Sequence, residues 1–187
     1  MQRKVRKLGV TAGDPAGIGP EVALKAINAL NDESIIPILI GRAAIFEKNY
    51  PDLFSGYEVV RAQHAVPLSG KKYLHDIPLD LPIPGPGAGT PETGKESLAC
   101  IDAAIDLWRK GRIDAVVTAP VSKGLIEQSG VPFTGHTEYL AEKIGESNPL
   151  MMMFSEKYRV LLASTHVPVS CIPGCLGLER LTAVIRA

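Results

Sequence analysis

Cysteine is scarce in this chain: three in 187 residues, an odd number without framework spacing. That excludes a disulfide scaffold and fits a reducing, cytoplasmic setting. Charge of one sign is missing as well. Twenty basic and twenty acidic side chains cancel, which removes the electrostatic reason to expect nucleic acid or an anionic membrane as partner. No apolar run approaches the roughly 18 residues of a membrane span. The basic start, MQRKVRKLGVTAGDPAG, lacks the apolar stretch and small-residue cleavage site of a secretory leader. Internal repeats and coiled-coil heptads are absent too. What is present is globular: 45% hydrophobic and 21% charged residues argue against disorder. Eighteen glycines and fifteen prolines, in clusters, announce elaborate loops. The length suits one ordinary domain, or one and part of a second.

Strands and helices alternate along the chain. Residues 4–12 (KVRKLGVTA) end in a short apolar run that meets Gly13, a strand feeding a loop. Pro20 and Glu21 then open a helix with apolar Val22, Leu24, Ala26, Ile27 and Leu30; proline at the start and an acid in the first turn are start signals. Ile35–Ile40 reads as a second strand, with Pro37 arguing for an edge position or strand end. A short helix follows at Ala43–Lys48. Residues 64–92, rich in proline, read as extended segments and turns. Gly94–Lys110 is a helix whose Leu98, Ile101, Ala104, Ile105 and Trp108 recur at three and four, stopped by Gly111. Ile113–Ala119 reads as a buried strand. A short helix, a loop over 130–137, a helix from about Thr137, strands at Leu150–Phe154 and Arg159–Ser164 and a helix at Leu178–Ile185 complete the chain. This alternation predicts an α/β fold with a largely parallel sheet, whose ligands gather at strand C-terminal ends.

Four segments could carry chemistry. Gly13-Asp14-Pro15-Ala16-Gly17-Ile18-Gly19-Pro20-Glu21 could let a backbone approach an anion at a helix start, or could simply reverse the chain. It is not a dinucleotide fingerprint, because Val22 stands where the third glycine belongs. Gly94-Lys95-Glu96 is no P-loop, lacking the Ser or Thr after lysine. Thr118-Ala119-Pro120-Val121-Ser122-Lys123-Gly124 would place an ammonium at the sheet's rim, where it can hold a phosphate or a developing alkoxide; the plainer reading is a Ser122 helix cap beside an exposed lysine. In Phe133-Thr134-Gly135-His136-Thr137-Glu138, His136 and Thr137 could bind an anionic or hydroxylated ligand, or Thr137 could merely cap a helix. His166, in Ser164-Thr165-His166-Val167-Pro168, is placed for metal or substrate, although a single histidine is a weak metal signal. His64 and His75 fall in the proline-rich loop and take no role. Cys171-x-x-x-Cys175 makes a poor closed metal site, and Met151-Met152-Met153 reads as core packing.

Taken together, GDPAGIGPE, TAPVSKG, FTGHTEYLA, MMMF and THVP, in this order and spacing, resemble the 4-hydroxythreonine-4-phosphate dehydrogenase family of pyridoxal phosphate biosynthesis. The resemblance runs over essentially all 187 residues and is weakest through 50–90. It implies a three-layer α/β/α, isocitrate/isopropylmalate-dehydrogenase-like fold of two lobes with a cleft, of which this chain covers only part: the first lobe and the start of the second. It implies a homodimer that uses NAD and a divalent metal (Zn, Mg or Co). The implied reaction oxidises the 3-hydroxyl of the phosphorylated substrate to a β-keto acid, which decarboxylates. By the same resemblance His136 and Thr137 contact substrate, His166 is a metal ligand, and Lys123 is a general acid or phosphate contact. The family's other metal-binding histidines and most of its NAD site have no counterpart here, and Val169-Ser170-Cys171 replaces a Leu-Arg-Asp-like stretch after THVP. Related alternatives are oxidation of a threonate or erythronate 4-phosphate, or a non-catalytic remnant that keeps only ligand binding.

Overall fold

The computed structural model describes residues 5–61, 71–147, 149–165 and 167–186. They form two compact units, Met1–His136 and Thr137–Ala187.

The first unit is built on a parallel sheet of β1 (Arg6–Thr11), β2 (Ile35–Gly41), β3 (Tyr57–Val60), β4 (Lys72–Asp76) and β5 (Ala115–Val117), in the order β3-β4-β2-β1-β5. Alternation along β2 divides the core. Leu39 packs with Val10, Leu24, Ile27, Phe46, Phe54 and Leu74 under α1 (Gly19–Ala29), α2 (Ala43–Asn49) and α3 (Pro51–Phe54). Ile36, Ile38 and Ile40 pack with Tyr73, Ala104, Leu107 and Ile113 under α4 (Pro91–Arg109). Helices therefore flank both faces, which is why the strands read as nearly continuous apolar runs. The expected α/β architecture with a parallel sheet is what the chain adopts.

Several local expectations change. β2 lies in the middle of the sheet, yet holds Pro37. The β2–β4 ladder starts only at Ile38↔Tyr73, so Pro37 has a partner strand on one flank alone, opposite Leu8 of β1. The strand expected to be buried over 113–119 shrinks to β5, an edge strand with exposed Ala115 and Val117. His75 belongs not to a loop but to β4, where it is buried; His64 lies outside the described residues. The long helix starts at Pro91 rather than Gly94. The Thr90 N–H donates to Thr93 Oγ1 at 3.1 Å, a cap that satisfies a first-turn donor. Gly94 sits inside that helix because a Cβ there would stand 2.6 Å from the Leu125 backbone of α5 (Lys123–Gln128).

In the second unit, α6 (His136–Ile144), whose first residue closes the first unit, is followed by β6 (Met151–Phe154) and β7 (Arg159–Leu162). These two strands pair antiparallel as an isolated hairpin, its turn closed by Ser155 N–H donating to the Tyr158 carbonyl at 2.8 Å. A 3-10 turn at Val169–Cys171 leads into α7 (Ile172–Cys175), and α8 (Leu178–Arg186) follows. The methionine run is not core: Met152 and Met153 are exposed, as is Phe154 at 82%. Among the described residues no second layer covers these side chains of the two-stranded ribbon.

Candidate functional site at the strand rim of the first unit

The C-terminal ends of β1 and β5 are locked together by backbone. Asp14 N–H donates to the Pro120 carbonyl at 3.0 Å, and Ala119 N–H donates to Thr11 Oγ1 at 3.2 Å. Gly13 adopts φ +72, and a Cβ on it would stand 2.3 Å from the Pro120 oxygen, so only glycine fits this crossing. The Asp14 carboxylate is buried and accepts the Ala16 N–H at 3.0 Å. An acid already occupies the glycine-rich turn, which makes it a chain reversal rather than an anion cradle. Gly87 N–H donates to the Ala16 carbonyl at 2.7 Å and draws the proline-rich segment onto the same rim.

Beyond Pro120 the plainer reading of Ser122 holds: its Oγ accepts the Leu125 N–H at 3.4 Å and caps α5. Lys123 opens that helix with an exposed side chain. Its Nζ donates to the Thr134 carbonyl at 2.6 Å and so ties α5 to the loop ahead of α6. In that loop Phe133 is buried, and its ring meets the His136 imidazole edge-on, centroids 5.7 Å apart at 85°. His136 is half-buried, and its buried Nε2 has no hydrogen-bond partner among the described residues. Burial, and then the Lys123 charge, hold the imidazole below its ordinary pKa. The lowered pKa favours the uncharged imidazole, whose two nitrogens offer one donor and one acceptor.

Of the four expected site residues, the structure brings Lys123 and His136 together. Thr137 is the next residue of α6, half-buried, and the first of the second unit. His166 lies outside the described residues. Among the described residues no three His, Cys, Asp or Glu side chains gather as a metal would require.

Sequence reasoning overlooked a buried ion pair on the same rim. Arg42, just before α2, donates from Nε to Glu96 Oε1 at 2.9 Å and from Nη2 to Oε2 at 2.7 Å, with both side chains almost wholly buried. The same guanidinium donates to the carbonyls of Leu81 and Pro82, so one side chain fixes a segment that has no secondary structure. Burial pushes the Glu96 pKa up, and the Arg42 contact opposes it. The signal was available, since Glu96 falls four residues before Cys100 on the face of α4 that also buries Thr93 and Ala104. Beside this pair a cavity of about 700 Å³ opens among Arg42, Glu47, Arg61, Asp76 and Asp80. Asp76 accepts the Ala43 N–H at 2.9 Å there and caps α2. A second cavity, about 570 Å³, lies among Leu30, Asp32, Ile35, Lys71 and Lys72. Neither holds Lys123 or His136.

A family model described as "Pyridoxal phosphate biosynthetic protein PdxA" matches residues 33–187. The 4-hydroxythreonine-4-phosphate dehydrogenase of Chromobacterium violaceum is 40% identical over 184 residues, spanning 96% of this chain and 54% of the relative. That of Aromatoleum aromaticum is 34% identical over 190 residues, spanning 96% and 53%. Among solved structures, the 4-hydroxythreonine-4-phosphate dehydrogenase of Burkholderia phymatum superposes with a TM-score of 0.80 at 27% identity, over 97% of this chain and 56% of that one. A terephthalate 1,2-cis-dihydrodiol dehydrogenase from Burkholderia xenovorans LB400 superposes with a TM-score of 0.73 at 23% identity, a likeness of fold alone. The chain thus spans about half the length of the curated relatives it matches. By the family match over residues 33–187, the chain belongs to the PdxA family of pyridoxal phosphate biosynthetic proteins.

Proposed function

We propose that the protein serves the NAD-dependent, divalent-metal-dependent oxidation and decarboxylation of 4-phosphohydroxy-L-threonine in pyridoxal phosphate biosynthesis, as a homodimer. The observation that carries this reading is the orphaned Nε2 of His136 close to the Lys123 ammonium. A buried nitrogen without a partner is costly unless a ligand supplies one. The neighbouring positive charge suits a phosphorylated, anionic ligand.

In this reading His136 and Thr137 hold the substrate, and Lys123 meets its phosphate or supplies a proton at the rim. His166 is the chain's proposed metal ligand, by resemblance alone. NAD, when bound, would supply the acceptor for the C3 hydride, so that oxidation of the 3-hydroxyl would give a ketone β to the carboxylate, from which CO₂ can leave. The residues described here bind and orient. A neutral His136 can accept from a substrate hydroxyl or donate to a phosphate oxygen, according to its tautomer.

Titration calorimetry of the chain with 4-phosphohydroxy-L-threonine tests this. His136→Ala should weaken binding by about 10–100-fold, the value of one hydrogen bond to a charged group. Unchanged affinity would overturn the site. Equal affinity for erythronate 4-phosphate, which lacks the amine, would overturn the vitamin B6 substrate and favour a sugar-acid dehydrogenase. In active enzyme the same substitution should chiefly raise KM.

A further inference from the structure

His136 lacks much of what ordinarily fixes a histidine ring. It is the first residue of α6, so no preceding helical turn restricts its χ1. Gly135 stands before it, and χ2 of an imidazole is intrinsically broad. A hydrogen bond from the ring commonly settles its orientation, yet Nε2 has no such partner among the described residues.

Two other contacts act here, one on the backbone and one on the ring. Lys123 Nζ donates to the Thr134 carbonyl at 2.6 Å, which restrains the chain two residues ahead of the histidine. The imidazole itself meets the ring of Phe133, which is only 2% exposed. The two planes stand at 85° with centroids 5.7 Å apart, an edge-to-face arrangement of the kind aromatic pairs prefer. A ring so deeply buried is held by close-packed neighbours and offers the imidazole one fixed partner.

We propose that Phe133 is a positioning residue, whose buried ring holds the His136 imidazole in one rotamer and so presets its plane for an incoming ligand. Its effect on binding rests on the reading of His136 as a substrate contact, since Phe133 acts through that ring and not on the substrate. Ordering the imidazole in advance spares the ligand that cost when it binds.

The ring is measured first, without ligand. Three-bond NMR couplings across χ1 of His136 should report one rotamer in the native chain and an average over rotamers in Phe133→Leu, with circular dichroism unchanged. Phe133→Met, whose flexible side chain fills irregular gaps, should behave as the leucine variant does and decides the matter if that variant fails to fold. Titration calorimetry with 4-phosphohydroxy-L-threonine should then show affinity about 2–10-fold lower in Phe133→Leu, the value of one edge-on aromatic pair. In a His136→Ala background the same substitution should cost nothing further, whereas a Phe133 that merely supports the fold would weaken both backgrounds alike. Rotamer averaging in the native chain, a single rotamer retained in either folded variant, or an equal loss of affinity in both backgrounds would each overturn the proposal. If His136→Ala leaves affinity unchanged, the substrate reading falls, while the ligand-free rotamer measurements still judge Phe133.

Discussion

IIPILI in β2 and MMMF in β6 are both unbroken apolar runs, yet they meet opposite fates. In the first unit Ile38, Leu39 and Ile40 are wholly buried between helices on both faces of a five-stranded sheet. In the second, Met152, Met153 and Phe154 stand exposed on a two-stranded ribbon, and Val160, Leu178 and Ile185 are exposed as well. What separates them is the number of layers the surrounding elements supply. A hydrophobic run states only that a strand can be buried. Burial itself requires a covering layer on each face.

The sharpest way to break this contrast is to delete one ring from each side. Phe46→Ala removes a fully buried ring stacked at 5.4 Å on Phe54 and should destabilise the first unit by about 3–5 kcal/mol. Phe154→Ala should change stability by no more than ~0.5 kcal/mol. Urea unfolding curves for the two variants decide it, and equal shifts would mean the hairpin is as well packed as the sheet. Glu96→Gln tests the polar part of the first unit. It leaves the Arg42 charge buried without its carboxylate and should cost about 3–5 kcal/mol, measured the same way; a change under 1 kcal/mol would show that the carbonyls of Leu81 and Pro82 suffice to hold the guanidinium.

The smallest effect concerns protons. His136 and His75 are both held below the usual histidine pKa, chiefly by burial. As pH falls through about 6.5 the unfolded chain takes up protons that the folded first unit refuses, so stability should decline as pH drops below that value. Lys123→Met removes the second cause acting on His136, so that ring should titrate closer to its ordinary value and the decline should be shallower. Imidazole proton shifts followed by NMR provide the check, and an unmoved His136 titration would detach Lys123 from the site.

Much of this was legible in the residues. Helix α1 announced itself through Pro20 and Glu21, α4 through its apolar spacing, and the alternation of elements through the turns between them. The misreadings share a cause, which is that local pattern does not record what packs on top. Gly94 resembled a helix start because glycine is a poor helix former, whereas the close approach of α5 demands it. Pro37 resembled an edge because the later start of the β4 ladder cannot be seen from β2 alone. At the site, the motif TAPVSKG located Lys123 and FTGHTEYLA located His136. The Lys123 bond to the Thr134 carbonyl and the solitary Nε2 of His136 depend on how two loops meet, and neither loop encodes that alone.

The position of β5 has a consequence for synthesis. β1 gains its second neighbour only when β5 arrives, and the join is marked by Lys7 N–H donating to Asp114, 107 residues further along the chain. At ribosomal rates of about 5–20 residues per second, β1 waits roughly 5–20 s with one edge bare. An unpaired edge is a template for foreign strands. A chaperone that shields the nascent chain would therefore do most good between the emergence of β1 and that of β5, and interrupting translation in that window should raise aggregation more than interrupting it afterwards.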